Sequence, residues 1–87
     1  MYRIRIKKKS AKNIEKAPED IRKRFKLLVE NLKQSGPVQN AWPNYSKLES
    51  NKYHCHLSYS WVVCWYNEKN TLLIEVYYAG SREKAPY

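Results

Sequence analysis

His54 and His56 are the only histidines of this 87-residue chain, and they sit in the run Tyr53-His54-Cys55-His56-Leu57. Imidazole titrates near neutrality, so such a pair can take up and release protons at physiological pH. In a strand, alternate side chains share a face. Both rings would therefore project from one open sheet face, with Tyr53, Cys55 and Leu57 on the opposite, helix-covered side. Neighbouring cations would lower the imidazole pKa and favour the neutral, basic form. A His-x-His pair could also supply two zinc ligands, but a metal site needs at least one more. Cys64 is the only other soft ligand available, because Cys55 points to the wrong face, so the spacing favours proton transfer over metal binding and implies no cofactor.

Other residues suit phosphate and base chemistry. Arg82 follows Gly80-Ser81, where a guanidinium could grip a phosphate bidentately and stabilise charge developing on it. Tyr87 could stack on a base or bring its hydroxyl to a phosphate. Lys7, Lys8, Lys9 and Lys12 form a basic cluster that could act as a phosphate rail. Each feature also has an ordinary alternative: surface histidines, a solvated arginine, a frayed terminal tyrosine, a solvated lysine face. The chain has no phosphate-binding glycine loop, no Ser/His/Asp set and no Cys-x-x-Cys pair, which argues against hydride chemistry and nucleotide hydrolysis.

The bulk properties agree with a polyanion partner. Seventeen Lys+Arg oppose eight Asp+Glu, a formal net charge of +9. That excess repels itself in a compact state and attracts, in order of expectation, nucleic acid, an acidic protein or a membrane surface. No segment approaches the about 18 consecutive apolar residues of a membrane span, and Met1–Lys7 has no apolar signal-peptide region, so a cytoplasmic protein is expected. The apolar fraction of 43% is too high for a disordered chain of this charge. Cys55 and Cys64 both lie in strand-like runs and read as buried thiols rather than a disulfide.

These residues need elements to position them. Tyr2, Ile4 and Ile6 alternate with Arg3, Arg5 and Lys7, the period of a half-buried strand. Ser10 is placed to cap a short helix over 11–16. Ala17-Pro18-Glu19-Asp20 opens a second helix, with proline and acidic residues suited to its first turn. Ile21, Phe25, Leu28, Val29 and Leu32 form its apolar stripe, and Gly36-Pro37 stops it. Residues 37–46 read as a loop, with Trp42 packed onto the domain. Strands follow at 53–57, 61–66 and 72–79, with a polar turn at 67–70. Residues 80–87 read as a turn and an exit. The expectation is one α+β domain over 1–87: an N-terminal strand, two helices, then antiparallel strands, giving a three- to four-stranded sheet with the helices on one face.

Three segments together carry a resemblance: Lys47-Leu48, the Tyr-x-x-x-Leu strand Tyr53–Leu57, and the ending Gly80-Ser81-Arg82-Glu83-Lys84-Ala85-Pro86-Tyr87. Over nearly its whole length the chain resembles the RelE/ParE superfamily of toxins from toxin–antitoxin systems, above all its RelE-like translational repressor branch. The resemblance implies a small basic endoribonuclease that enters the ribosomal A site and cuts mRNA without a metal. The ribose 2′-hydroxyl attacks the adjacent phosphate, leaving a cyclic phosphate and a 5′-hydroxyl. It also implies an antitoxin that wraps the toxin in a hetero-oligomer; the charge of this chain would make that partner acidic or helix-rich. By position, His54 and His56 fall where some relatives carry two lysines, and they become candidates for general base and for acid or charge stabiliser. Arg82 falls at the family's phosphate clamp, and Tyr87 close to its terminal tyrosine.

One departure stands out. Many relatives carry a Tyr-Arg pair early in the strand after the short turn, where this chain has Trp61-Val62. Lys47 or Lys52, read with the Lys7–Lys12 cluster as RNA-binding residues, could substitute for the missing cation. Val62 admits a relative that only binds RNA or an antitoxin; the superfamily also includes gyrase-poisoning toxins, a branch against which the paired histidines and Arg82 argue.

Overall fold

A computed structural model describes all residues, Met1–Tyr87. Strand β1 (Arg3–Ile6) leads into helix α1 (Lys8–Glu15) and helix α2 (Glu19–Ser35). Strands β2 (Ser46–Glu49), β3 (Lys52–His56), β4 (Trp61–Asn67) and β5 (Leu73–Ser81) follow, and a 3-10 turn, η1 (Arg82–Lys84), ends the regular structure. The sheet order is β1-β5-β4-β3-β2. β1 runs parallel to β5, and every other pair is antiparallel.

The α+β class, the two helices and the helix-covered face are as the patterning implies, but the sheet has five strands rather than three or four. The additional strand is β2. Ser46-Lys47-Leu48-Glu49 is short, polar and at the sheet edge, so it lacks the apolar signal of a central strand.

The core lies between the helices and one sheet face. Ile14, Ala17, Ile21, Phe25, Leu28 and Leu32 come from the helical layer. They meet Tyr53, Cys55 and Leu57 of β3 and the adjoining loop, Val63 and Trp65 of β4, and Ile74, Val76 and Ala79 of β5. Leu28, Leu32 and Trp65 are wholly buried, each aliphatic one worth about 1.5–3 kcal/mol by area. Tyr45, Tyr53 and Trp65 stack with centroids 6.2–6.3 Å apart and close the β2 end of the core. The Trp65 indole donates to the Pro37 carbonyl and that of Trp42 to Asn31, pinning the 36–45 connection.

Helix α1 begins earlier than Ser10 would suggest. Lys7 is at the N-cap, and Ser10 is buried inside the helix. Ser10, Ile14 and Ala17 share the inward face, so the small serine serves close packing rather than capping. For α2, Pro18 is the N-cap residue and Glu19 and Asp20 fill the first turn. At its other end Gly36 takes φ 87°, a left-handed value, directly against the Tyr2 ring.

β1 covers only the first part of β5, pairing with Leu73–Val76. α1 flanks the rest: the Asn13 amide donates to the Ala79 carbonyl at 3.0 Å, satisfying an edge that no strand pairs.

Candidate functional site

β3 carries the two imidazoles on the face away from the core, as alternation requires. That face is not open: His54 is 8% and His56 9% exposed. After β5 the chain turns through η1 and doubles back, so that the Tyr87 ring lies on the His54 ring, centroids 4.5 Å apart. Residues 80–87 are thus not an exit. Gly80 and Ser81 belong to β5, and Tyr87 roofs β3.

The rings of His54 and His56 meet edge-on at 5.7 Å. Ser46 Oγ lies 2.9 Å from His54 Nδ1 and shares a hydrogen bond with it, so the edge strand β2 orients this ring. Burial holds the His54 pKa below its ordinary value, and the neighbouring His56 adds to that. His56 is lowered as well, first by burial and then by the Arg82 guanidinium. Cations were the expected cause, but desolvation is the larger one. Both effects favour neutral imidazoles, the form that accepts a proton. Tyr87 is raised, chiefly by burial, which keeps its hydroxyl protonated.

Arg82 follows β5, with its backbone N–H donating to Ser60 and its guanidinium 4.8 Å from the centre of the Tyr59 ring. Together with His56, Tyr59 and Arg24 it lines a cleft of about 360 Å³, large enough for a phosphate and part of a nucleoside. Arg24 is the residue that the sequence concealed. It lies on α2 among solvated basic side chains, yet its Nη1 donates to the Leu57 carbonyl at 2.7 Å, beside His56. Only a charge on a helix face was visible beforehand, and nothing in the pattern tied it to β3. Tyr59, 81% exposed in the β3–β4 loop, was missed for the same reason.

His54, His56, Arg82 and Tyr87 thus gather at one end of the sheet. The lysines divide. Lys52 shares the strand face of the histidines, over the Tyr77 ring and ion-paired with Glu49 at 3.9 Å. Lys47 lies over Tyr53, on the helix-bearing side, and does not join the imidazoles. Lys7, Lys8, Lys9 and Lys12 are at or in α1, on the far side of β5 from β3. Val62, at the position where the resemblance leads one to expect arginine, is wholly buried.

Cys55 lies in the core and Cys64 beneath the opposite face; both are free, and burial pushes each thiol up to about 12. No cluster of three or more His, Cys, Asp or Glu forms around the imidazoles. No helix is long and apolar enough to cross a membrane.

No protein-family model matches the chain, and no curated protein matches it in sequence. Solved structures do match in fold. The chain is similar to the archaeal RelE-RelB complex of Pyrococcus horikoshii OT3, with a TM-score of 0.76 and 17% identity, covering 97% of this chain and 98% of that one. It is similar to the isolated E. coli RelE toxin, with a TM-score of 0.74 and 14% identity over 99% and 89% of the two chains. The YoeB/ParE toxin of Agrobacterium tumefaciens gives a TM-score of 0.73 and 10% identity over 94% and 99%. The parallel β1–β5 pair, the helical layer on one face and the antiparallel run β5-β4-β3-β2 are therefore, over almost the entire chain, the fold of the RelE/ParE-like toxins.

Proposed function

We propose that this chain is the toxin of a toxin–antitoxin system and acts as a ribosome-dependent mRNA endoribonuclease, an inhibitor of translation. The observation that carries the reading is the side-by-side pair of depressed imidazoles, one roofed by Tyr87 and the other in a cleft with two arginines. His56 lines the cleft and is the candidate general base for the ribose 2′-hydroxyl. The 2′-oxygen attacks phosphorus, the bond to the 5′-oxygen breaks, and a 2′,3′-cyclic phosphate and a 5′-hydroxyl result. Arg82 and Arg24 stabilise the charge on the phosphorane. His54, whose ring adjoins that of His56, is the candidate to supply a proton or a charge to the departing oxygen. None of these steps requires a cofactor.

The antitoxin partner is part of the same reading. The Pyrococcus RelE neighbour is in complex with RelB. A formal charge of +9 on this chain suits an acidic partner that covers its basic surface.

The test is cleavage of mRNA on programmed ribosomes, alongside growth arrest. His54→Ala, His56→Ala and Arg82→Ala are each expected to lower cleavage by about 10²–10⁴-fold and to relieve arrest with the fold retained. Full toxicity in all three variants would remove this site assignment. The buried Val62 favours a second reading, a relative that binds ribosomes or an antitoxin without cutting. Ribosome binding with intact mRNA would support it. Arrest of DNA replication before protein synthesis would instead indicate a gyrase poison.

A further inference from the structure

Three clefts follow one another around the end of the sheet where β4 begins and β5 ends. The His56–Arg24 cleft shares Tyr59 and Arg82 with a second, which also holds Ser81 and Glu83. Ser81 in turn borders a third, of about 390 Å³, lined by Lys9, Asn13 and Lys16 of the α1 region, Trp61, and Lys84 of η1. The series is continuous from His56 to α1.

The third cleft has the chemistry of a phosphate cradle. Lys9, Asn13 and Lys16 fall four and then three residues apart, one stripe along α1, and Lys84 comes from a separate element. None of the three lysines is ion-paired; the chain's four ion pairs engage Arg5, Lys23, Lys33 and Lys52. Lys8 and Lys9 also occupy the positive end of α1, whose first turn has no acidic residue. That placement opposes the helix dipole and is relieved by an anion. At its floor the Tyr78 hydroxyl and the Asn13 amide pack over Gly80, where a Cβ would come within 2.9 Å and 3.2 Å of them.

Aromatic groups accompany the charges. Of the three indoles, those of Trp42 and Trp65 donate to protein acceptors. Trp61 makes no such bond and borders the lysine cleft. In the middle cleft, exposed Tyr59 carries Arg82 on its ring, a platform for a base. Glu83 is the one carboxylate in the series, which assigns the phosphates to the two ends and a base to the middle.

We infer that the three clefts form a track for a single RNA strand, in which nucleotides flanking the cut site pass over Tyr59 and place their phosphates among Lys9, Lys16 and Lys84. The inference deepens the ribonuclease reading and rests on it for the identity of the polyanion. A single strand is specified because a duplex keeps its base faces stacked, out of reach of Tyr59 and Trp61.

The test is binding of a short 2′-O-methyl RNA, which has no free attacking hydroxyl, over a range of salt concentrations. The combined Lys9→Ala, Lys16→Ala and Lys84→Ala variant is expected to flatten the slope of log K against log salt by about 2, at about 0.7 per lost contact. Lys69→Ala, in the β4–β5 turn at the opposite end of the hairpin, should leave the slope unchanged. Trp61→Phe should remove most of the tryptophan quenching that accompanies binding. An unchanged slope in the triple variant overturns the track, and if affinity for poly-glutamate then falls instead, the cleft belongs to an acidic protein. Because the probe cannot be cut, the two readings fail separately. A protein that spares mRNA but shows the lysine-dependent slope keeps the track and loses the ribonuclease; one that cuts mRNA with an unaltered slope does the reverse.

Discussion

The Tyr87 ring rests on the His54 imidazole, centroids 4.5 Å apart and tilted by 50°, although the two residues lie at opposite ends of the β-rich half of the chain. This contact covers His54 from the C-terminal segment. Tyr87→Ala is therefore expected to let the His54 pKa rise towards its ordinary 6.5. A titration of the histidine ring resonances by NMR reads this directly, and an unshifted His54 would show that Tyr87 contributes no burial. Loss of the aromatic contact should cost about 0.5–1.5 kcal/mol of stability.

Both histidines are depressed in the folded state, so the unfolded chain binds more protons than the folded one below the ordinary value of 6.5. Stability should accordingly be fully present above pH 6.5 and be lost as pH falls through the folded-state values. Urea midpoints measured from pH 7.5 downward are expected to decline, and the decline should flatten in a His54→Gln, His56→Gln variant. In the same way, the acidic limb of the kcat/KM profile should lie below 6.5, because the base must be neutral.

Arg24 is expected to matter more for cleavage than for folding. Its guanidinium reaches the Leu57 carbonyl at 2.7 Å and faces the same cleft as His56 and Arg82. Arg24→Ala should lower cleavage by about 10²-fold, whereas the lost hydrogen bond costs about 1 kcal/mol. Arg24→Lys should restore part of the rate but not the bidentate geometry. Equal rates for all three proteins would leave Arg24 as a loop tether.

Gly36→Ala tests the junction between α2 and β1. The φ of 87° disfavours any L side chain, and the added Cβ would meet the Tyr2 ring at 2.8 Å. A loss of more than about 1 kcal/mol is expected in urea unfolding. Tyr2→Ala would relieve the clash but not the backbone strain, so the double variant should recover only part of the loss.

Local patterning was enough for most of the frame. The stripe Ile21, Phe25, Leu28, Leu32 specified α2, the alternation at 53–57 put the two histidines on the face opposite Cys55, and the apolar run Trp61–Tyr66 specified a central strand. The stripe and the alternation are legible because side-chain type repeats with the period of the element, and the continuous run because both faces of a central strand are covered. Ser10 misled because the same small polar residue suits an N-cap and a tight helix–sheet contact, and only the packing of α1 on β5 separates the two. β2 was hidden because an exposed edge strand has no apolar run to display.

The residue types and the charge of +9 thus determined that titratable imidazoles and a cationic surface would be present. Tertiary structure alone decided their state and their company. The return of Tyr87 lays its ring on His54, and burial lowers the pKa of both histidines. The crossing of α2 brings Arg24 to the cleft, and Arg82, although exposed, lies against the Tyr59 ring. Each of these joins residues far apart in the chain. Such contacts are set by the shape of the packed layers and by desolvation between them, and neither leaves a period in the sequence.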